Sequence, residues 1–256
     1  MVIAIFSVFF GLAFGSFLNV CISRLPKYES IVRPPSRCPT CGESIWARDN
    51  LPLLGWIVLR GRCRHCGWHI PVRYPLVELA MAVLFLLTYL TFDLTLEGFG
   101  MIVLCFLLLG LAIMDAETLL LPNFFTLPGI VLGIAYSGLR GGWHAGILST
   151  GYALGAAALI FAIRGAWWLV RRQEGMGLGD AKLLAMIAAW LGPWQTLLVF
   201  FLGVFAAAVF GLIWVVLTRR DLHTSRLPFG SFLCAAGIYA VFRGQPILKW
   251  YLQFFR

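Results

Sequence analysis

The sequence predicts an all-α polytopic membrane protein with about eight transmembrane helices and a small zinc-ribbon-like cytoplasmic insert between spans one and two. Three observations carry that class. Of 256 residues, 61% are hydrophobic and only 12% charged, against roughly 45–50% and 25% in ordinary soluble domains. The charges cluster: residues 24–78 hold nine Lys and Arg and four Asp and Glu, leaving eighteen for the other 201 positions. Four of the seven cysteines fall in that same basic segment, as two Cys-x-x-Cys pairs. A soluble globular enzyme, a disordered chain and a disulfide-rich secreted domain are ruled out as starting points.

Residues 1–23 are uncharged and long enough to cross a hydrocarbon core. A cleaved signal peptide would carry positive charge ahead of its apolar core, whereas here Arg24 and Lys27 come after it. The segment therefore reads as span one, with the N-terminus outside and the basic segment inside. Uncharged runs follow at 79–92, 98–114, 118–139 (interrupted by Pro), 141–163, 183–218 and 227–242. The run 183–218 would make about 54 Å of helix, nearly twice a core of ~30 Å, so it turns at Gly192-Pro193 and returns.

Eight spans alternating from an outside N-terminus place fifteen Lys and Arg inside: the nine of the insert, Arg171, Arg172, Lys182, Arg219, Arg220 and Arg226. Four fall outside, namely Arg140, Arg243, Lys249 and Arg256, while Arg164 lies within a span near the inner face. That imbalance obeys the positive-inside rule. The net charge of +9 thus reads as topology in a lipid bilayer, with no nucleic acid as partner.

The pairs Cys38-Pro-Thr-Cys41 and Cys63-Arg-His-Cys66 are separated by 21 residues. Each sets two thiolates on one tight turn, and two such turns complete a tetrahedral sulfur site suited to zinc. The inner side of the membrane is reducing, which disfavours structural disulfides. Arg37, Arg62 and Arg64 adjoin the thiols and favour thiolate. A redox-active or incidental Cys-x-x-Cys is the competing reading. His65 and His69 read as exposed loop residues, and Cys21, Cys105 and Cys234 as small buried hydrophobes. A metal would supply folding free energy to a segment with so little apolar core.

Charge inside a span is costly and marks candidate chemistry. Glu29, Glu43, Asp49 and Glu78 belong to the polar segment, Asp93 and Glu97 to an outer loop, and Glu174 and Asp221 to inner loops beside Arg pairs. Asp115 directly follows the run 98–114, in Met114-Asp-Ala-Glu-Thr-Leu-Leu-Leu-Pro122-Asn123. Asp180 lies in Gly177-Leu-Gly-Asp-Ala-Lys182. Its twelve residues to the Gly192-Pro193 turn make about 18 Å of helix, short of a ~30 Å crossing, so Asp180 sits below the inner surface.

Gly177 and Gly179 would let irregular backbone dip there. Two carboxylates meeting in a low dielectric share one proton, so one activates water and the other polarises a carbonyl. The competing reading is two unrelated boundary acids, with Asp180 capping a helix. On spacing alone the two stand level. Glu117 would face away from Asp115 on a continuing helix and is left out of the pair.

The carboxylates and the cysteine module in one chain resemble the bacterial type IV prepilin peptidases, the bifunctional leader peptidases and N-methyltransferases of peptidase family A24 that serve type IV pili and type II secretion. The likeness covers nearly the whole chain. It runs through Phe14-Gly-Ser-Phe-Leu-Asn-Val-Cys-Ile-Ser-Arg-Leu-Pro26, Ser36-Arg-Cys-Pro-Thr-Cys41 and Gly61-Arg-Cys-Arg-His-Cys66. It continues through Arg73-Tyr-Pro-Leu-Val-Glu78, Asp115 to Leu121-Pro122, and Gly177-Leu-Gly-Asp-Ala-Lys182.

The resemblance implies that Asp115 and Asp180 are the protease pair, with Gly177, Gly179 and Lys182 as the supporting loop. It implies prepilins and pseudopilins as substrates, cut at the cytoplasmic face of the inner membrane after a Gly that ends a basic leader. It implies methylation of the new N-terminal residue by S-adenosylmethionine, associated with the segment 24–78, which would hold structural zinc on Cys38, Cys41, Cys63 and Cys66. Residues 79–256 would then form the peptidase domain of about seven helices. Asn19 and Gly61 are candidate contributors to the methyl-donor site.

Asn123 departs from the family, many members of which carry Asp there. No Gly-rich nucleotide loop after a strand is visible, so methyl transfer rests on the resemblance alone. The acids available to a basic leader are Glu29, Glu43, Asp49 and Glu117. Competing functions are a peptidase without methyl transfer, a presenilin-like protease (which would carry Tyr before its first Asp where this chain has Met114, and lack the cysteines), and a non-enzymatic assembly protein docking through its zinc module.

Overall fold

The computed structural model describes residues 2–172, 177–218 and 227–254. The inner-loop charges Glu174, Arg219, Arg220, Asp221 and Arg226 and the terminal Arg256 lie outside the described residues. The chain forms two compact units, Met1–Ile102 and Val103–Arg256. Among the described residues it is helical, with two isolated β-bridges and no strand.

In the first unit, α1 (Val2–Arg24) packs along α3 (Arg73–Phe92), and the insert between them carries the single-turn α2 (Leu54–Val58). Gly11 and Gly15 make the α1–α3 contact possible. A Cβ on Gly11 would stand 2.5 Å from the Ala82 Cα, and one on Gly15 2.6 Å from the Glu78 Cα. A small residue every fourth position is how apolar helices bring their backbones together in lipid, where the hydrophobic effect does not join them. Pro75 lies in the first turn of α3, where its missing N–H removes no helical bond. The helix α4 (Leu96–Thr118) begins in this unit and ends in the second.

The second unit is built around α6 (Leu178–Leu191), nine of whose fourteen residues are buried, on every face. A helix apolar all round belongs at a core. Around it pack α5 (Asn123–Arg171), α7 (Pro193–Thr218) and α8 (Phe229–Phe254). At 49 residues α5 would be about 73 Å long if straight. It breaks instead at Gly141 and Gly142, the latter at φ 74°, ψ −178°, which only glycine adopts freely. Gly138 and Gly146 then face each other, and the Ser137 and Ser149 hydroxyls, from either side of the break, both donate to the Ala189 carbonyl at 3.0 and 2.8 Å. The two halves are therefore a hairpin.

With α5 divided at its break and the short α2 set aside, eight helical segments follow one another among the described residues, in the number and order expected. Among the described residues, six helices are long and apolar enough to cross a membrane by length and composition. Their outward faces are apolar: on α7, Phe201, Phe205, Leu212, Val216 and Leu217 are all exposed. A water-soluble unit rarely exposes so continuous a patch, whereas lipid requires it. This is a multi-pass membrane protein.

Several helices outrun the uncharged runs that announced them. α3 starts at Arg73 where the run starts at 79, α6 at Leu178 against 183, and α8 continues to Phe254 past 242. A hydropathy run stops at the first charge, whereas backbone hydrogen bonding does not. Long basic side chains reach the interface from the last turns of a span.

Candidate active site and metal centre

The four insert cysteines converge. Their Sγ atoms all lie within 4.8 Å of one another, with Cys38 to Cys66 at 3.7 Å. Four sulfurs ~2.3 Å from a central zinc would be spaced about 3.8 Å apart, so the cluster fits a tetrahedral thiolate site. Both pairs fold the same way. The Cys38 N–H donates to Glu43 O and the Gly42 N–H returns to Cys38 O. The Cys63 N–H donates to Trp68 O and the Gly67 N–H returns to Cys63 O. Each hairpin closes on one bridge, Arg37 to Ser44 and Arg62 to His69.

The turns also aim N–H groups at sulfur: those of Cys41 and Thr40 at Cys38, and those of Cys66 and His65 at Cys63. Burial pushes the Cys38 thiol up, but these N–H groups and the neighbouring thiols outweigh it and bring it down to about 7. Such donors to ligand sulfur are the outer support a metal site needs. Arg64 clamps Asp49 with both prongs of its guanidinium, at 2.8 and 2.7 Å, tying the second hairpin to the turn at residues 47–50. That hydrogen-bonded guanidinium holds the Asp49 carboxyl below the usual carboxylate range. His65 and His69 are exposed, and Cys21, Cys105 and Cys234 are buried.

Beneath the insert lies a cavity of about 210 Å³ whose wall mixes helix and insert residues, among them Asn19, Tyr74 and Glu78 with Glu43, Trp56 and Trp68. Gly61 stands behind this wall. A Cβ there would fall 2.9 Å from the Trp56 ring, whose indole N–H donates to Ile70 O. Asn19 is 2% exposed, and its Oδ1 has no partner. Glu78, which the sequence assigned to the polar segment, is buried in α3 one and a half turns past Arg73.

In the second unit, Asp115 closes α4 and is buried. Its Oδ2 accepts the Ser231 N–H at 2.7 Å and lies 3.1 Å from the Ser231 hydroxyl, which is also 2.7 Å from Ala112 O. The Gly230 N–H points at the same carboxylate, so Asp115 occupies the positive end of α8. Asp180 sits in the first turn of α6 and accepts the Gly177 N–H at 3.2 Å. That is the capping contact of the alternative reading, and it engages one oxygen of two.

Leu121 joins the two helix starts. Its side chain lies 3.1 Å from where a Cβ on Gly179 would be and 3.0 Å from the same position on Gly230, which also stands 3.0 Å from Asp115 Oδ2. Asp115 is among the charges close enough to act on Asp180. Lys182 donates to Asn123 Oδ1 at 2.8 Å, pinning the start of α5 to α6. Glu117 is exposed. Sequence reasoning missed Ser231 and Gly230; the available signal was a pair of small residues just after Leu227-Pro228, at the same end of the unit as the two aspartates.

A polytopic helical membrane protein with Asp115 in the last turn of α4, Asp180 in the first turn of α6 and four cysteines that could hold a metal fits a class of membrane-bound peptidases. The Bacterial Peptidase A24 N-terminal domain matches residues 9–92 and the Type IV leader peptidase family matches residues 102–212. A prepilin leader peptidase/N-methyltransferase of Aeromonas salmonicida is 36% identical over 95% of this chain and 92% of its own length. Proteins of the same name are 35% identical in Pseudomonas aeruginosa, over 97% of this chain and 93% of theirs, and 41% identical in Myxococcus xanthus, over 85% and 64%. No solved structure matches. The chain belongs to the type IV leader peptidase family, and it is an enzyme.

Proposed function

We propose that the protein removes the basic leader from type IV prepilins and pseudopilins and methylates the N-terminus so exposed. It would lie in the bacterial inner membrane, with its N-terminus outside and both sites facing the cytoplasm. The peptidase reading is supported by Leu121, which packs both against Gly179, next to Asp180, and against Gly230, beside the Asp115 carboxylate. A carboxylate pair at low dielectric holds one proton between them. The ionised member takes a proton from water as that water attacks the scissile carbonyl. The protonated member donates to the carbonyl oxygen, and the roles reverse as the leaving amine is protonated. A prepilin carries its leader inside and an apolar helix in the bilayer, so its cut site lies at the depth of α4's last turn.

The insert cysteines Cys38, Cys41, Cys63 and Cys66 would hold structural zinc, which suits four thiolates and fixes both hairpins. The cavity beneath fits S-adenosylmethionine: the acid Glu43 suits its cationic groups, Arg37 its carboxylate, and Trp56 and Trp68 its ring. When bound, that cofactor would supply an electrophilic methyl group. Asn19 lines the cavity and Gly61 sets Trp56 against it.

The test is cleavage of a synthetic prepilin by purified enzyme. Asp115→Asn and Asp180→Asn should each lower the rate by roughly 10²–10⁴-fold, the usual weight of an acid–base group. Near-full cleavage by both variants sinks the pair. Cleavage with labelled S-adenosylmethionine that leaves the new N-terminus unlabelled would leave a peptidase alone.

A further inference from the structure

The membrane end of the first unit's cavity holds two acceptors that nothing in the protein satisfies fully. Asn19 donates its Nδ2 to Tyr74 O at 2.9 Å, which fixes the amide and leaves Oδ1 buried without a donor. Among the described residues it is the one buried side-chain polar atom so left. Buried polar atoms in native proteins are nearly always paired, so an orphan lining a cavity marks a place for a ligand's donor.

Glu78 lines the same cavity at 8% exposure. Its Oε2 accepts the Leu53 N–H at 2.8 Å and the Ser16 side chain also hydrogen-bonds to the carboxylate, but no cation pairs with it among the described residues. Of the arginines that line the cavity, Arg64 is engaged on Asp49 and Arg24 on the carbonyls of Ser30 and Pro35, and Arg37 makes no ion pair with Glu78. A buried carboxylate without a cation is destabilising unless something brings one. The helix contact at Gly15, tight against the Glu78 backbone, holds α1 and α3 in the register that sets both groups on one wall.

Both also lie at one depth. Asn19 is five residues inside Arg24 on α1, and Glu78 five inside Arg73 on α3, about 7.5 Å into each span. A carboxylate and an amide oxygen are acceptors only. The group complementary to them is a primary ammonium, which has three N–H donors and no acceptor.

We propose that Asn19 and Glu78 bind the α-ammonium at the head of the processed pilin, the methyl-accepting nitrogen. This rests on the methyltransferase reading above. A nitrogen that begins an apolar membrane helix arrives at the depth of these two side chains, not at the insert hairpins above them. Glu78 takes one proton from the ammonium. The N–H bond breaks, its electron pair stays on nitrogen, and the carboxylate becomes a carboxylic acid with no change in total charge. The neutral amine keeps two N–H donors, one to Asn19 Oδ1 and one to the Glu78 side chain. Its lone pair is thereby directed into the cavity, toward the space that fits the methyl donor.

The methyl donor also carries a primary ammonium, so the test separates the two sources. Binding of a peptide with the processed pilin N-terminus to the purified full-length protein is measured calorimetrically, without methyl donor. The same peptide N-acetylated is the comparison, and S-adenosylmethionine is titrated separately. Wild type should prefer the free amine by on the order of tenfold or more, the worth of a charge-assisted hydrogen bond. Glu78→Gln and Asn19→Leu should abolish that preference and change S-adenosylmethionine affinity by less than about threefold.

Equal affinity of wild type for the free and acetylated peptides overturns the proposal, and this comparison needs no variant to fold. So does a Glu78→Gln protein that loses S-adenosylmethionine yet keeps the amine preference. Methyl transfer by wild type is scored independently. Its absence with the amine preference kept counts against the methyltransferase reading and for the amine site; its presence with the preference lost counts the other way.

Discussion

Ser231 has no charge and sits near the start of an apolar run, yet both its N–H and its hydroxyl lie on Asp115. The hydroxyl has one proton for two acceptors, Asp115 Oδ2 and Ala112 O, and the shorter contact is to the carbonyl. Ser231→Ala therefore removes little that the backbone N–H does not already supply, and leader cleavage should fall only a few-fold. Gly230→Ala is different, because the new Cβ would stand 3.0 Å from the carboxylate oxygen and from Leu121. Displacing a catalytic group by about 1 Å can lower the rate ~10²-fold, so this variant should be the more damaged of the two in a cleavage assay. The reverse order would mean that the hydroxyl, not the backbone position, holds Asp115. Asp115 and Asp180 were legible because charge is conspicuous in an apolar background. Ser231 was not, since a serine costs a span little, and Glu78 was misplaced because counting charges along a chain does not say which face of a helix they share.

The two cysteine hairpins are the element most completely written in the sequence. Cys-x-x-Cys-Gly twice gives two identical turns, each with its own N–H groups aimed at sulfur, and the sulfurs meet at tetrahedral spacing. The α5 hairpin was legible in outline as two adjacent uncharged runs, but its closure on the single Ala189 carbonyl is a long-range fact that no local pattern carries. Stripping metal with a chelator should change the fluorescence of Trp46, Trp56 and Trp68 and expose residues 25–72 to protease, while far-UV ellipticity, which comes from the spans, stays nearly constant. Metal binding displaces thiol protons, so acid should favour release. The Asp49–Arg64 clamp acts in the same direction. Its carboxyl is held below its unfolded value, so its stabilisation is full above the unfolded pKa of about 3.9 and is lost as pH falls through the lower folded value. Asp49→Asn should make the insert easier to strip at neutral pH and remove that acid-dependent part; unchanged sensitivity to chelator would show that the clamp does not support the hairpins.

Two compact units correspond to two family regions, residues 9–92 and 102–212 against Met1–Ile102 and Val103–Arg256. The cavity with Asn19, Glu78 and the cysteines belongs wholly to the first, and Asp115, Asp180, Leu121 and Ser231 to the second. The chemistry imposes an order on them. On the proposed function, a pilin has no free α-amine at the methylated position until its leader is gone, so the second unit's product would be the first unit's substrate. Residues far apart with no shared partner have nearly additive effects, whereas consecutive steps mask one another. Asp180→Asn should accordingly show no methyl transfer to intact prepilin and regain it with a pilin supplied already cleaved. Gly61→Ala, which forces a Cβ against the Trp56 ring, should lower methyl transfer to both forms while leader removal proceeds at about the wild-type rate. Labelled methyl incorporation into the two pilin forms, with cleavage followed by gel shift, measures all of these at once. An Asp180→Asn protein that methylates neither form would mean that the aspartate also supports methyl transfer, and the assignment of one reaction to each unit would be wrong.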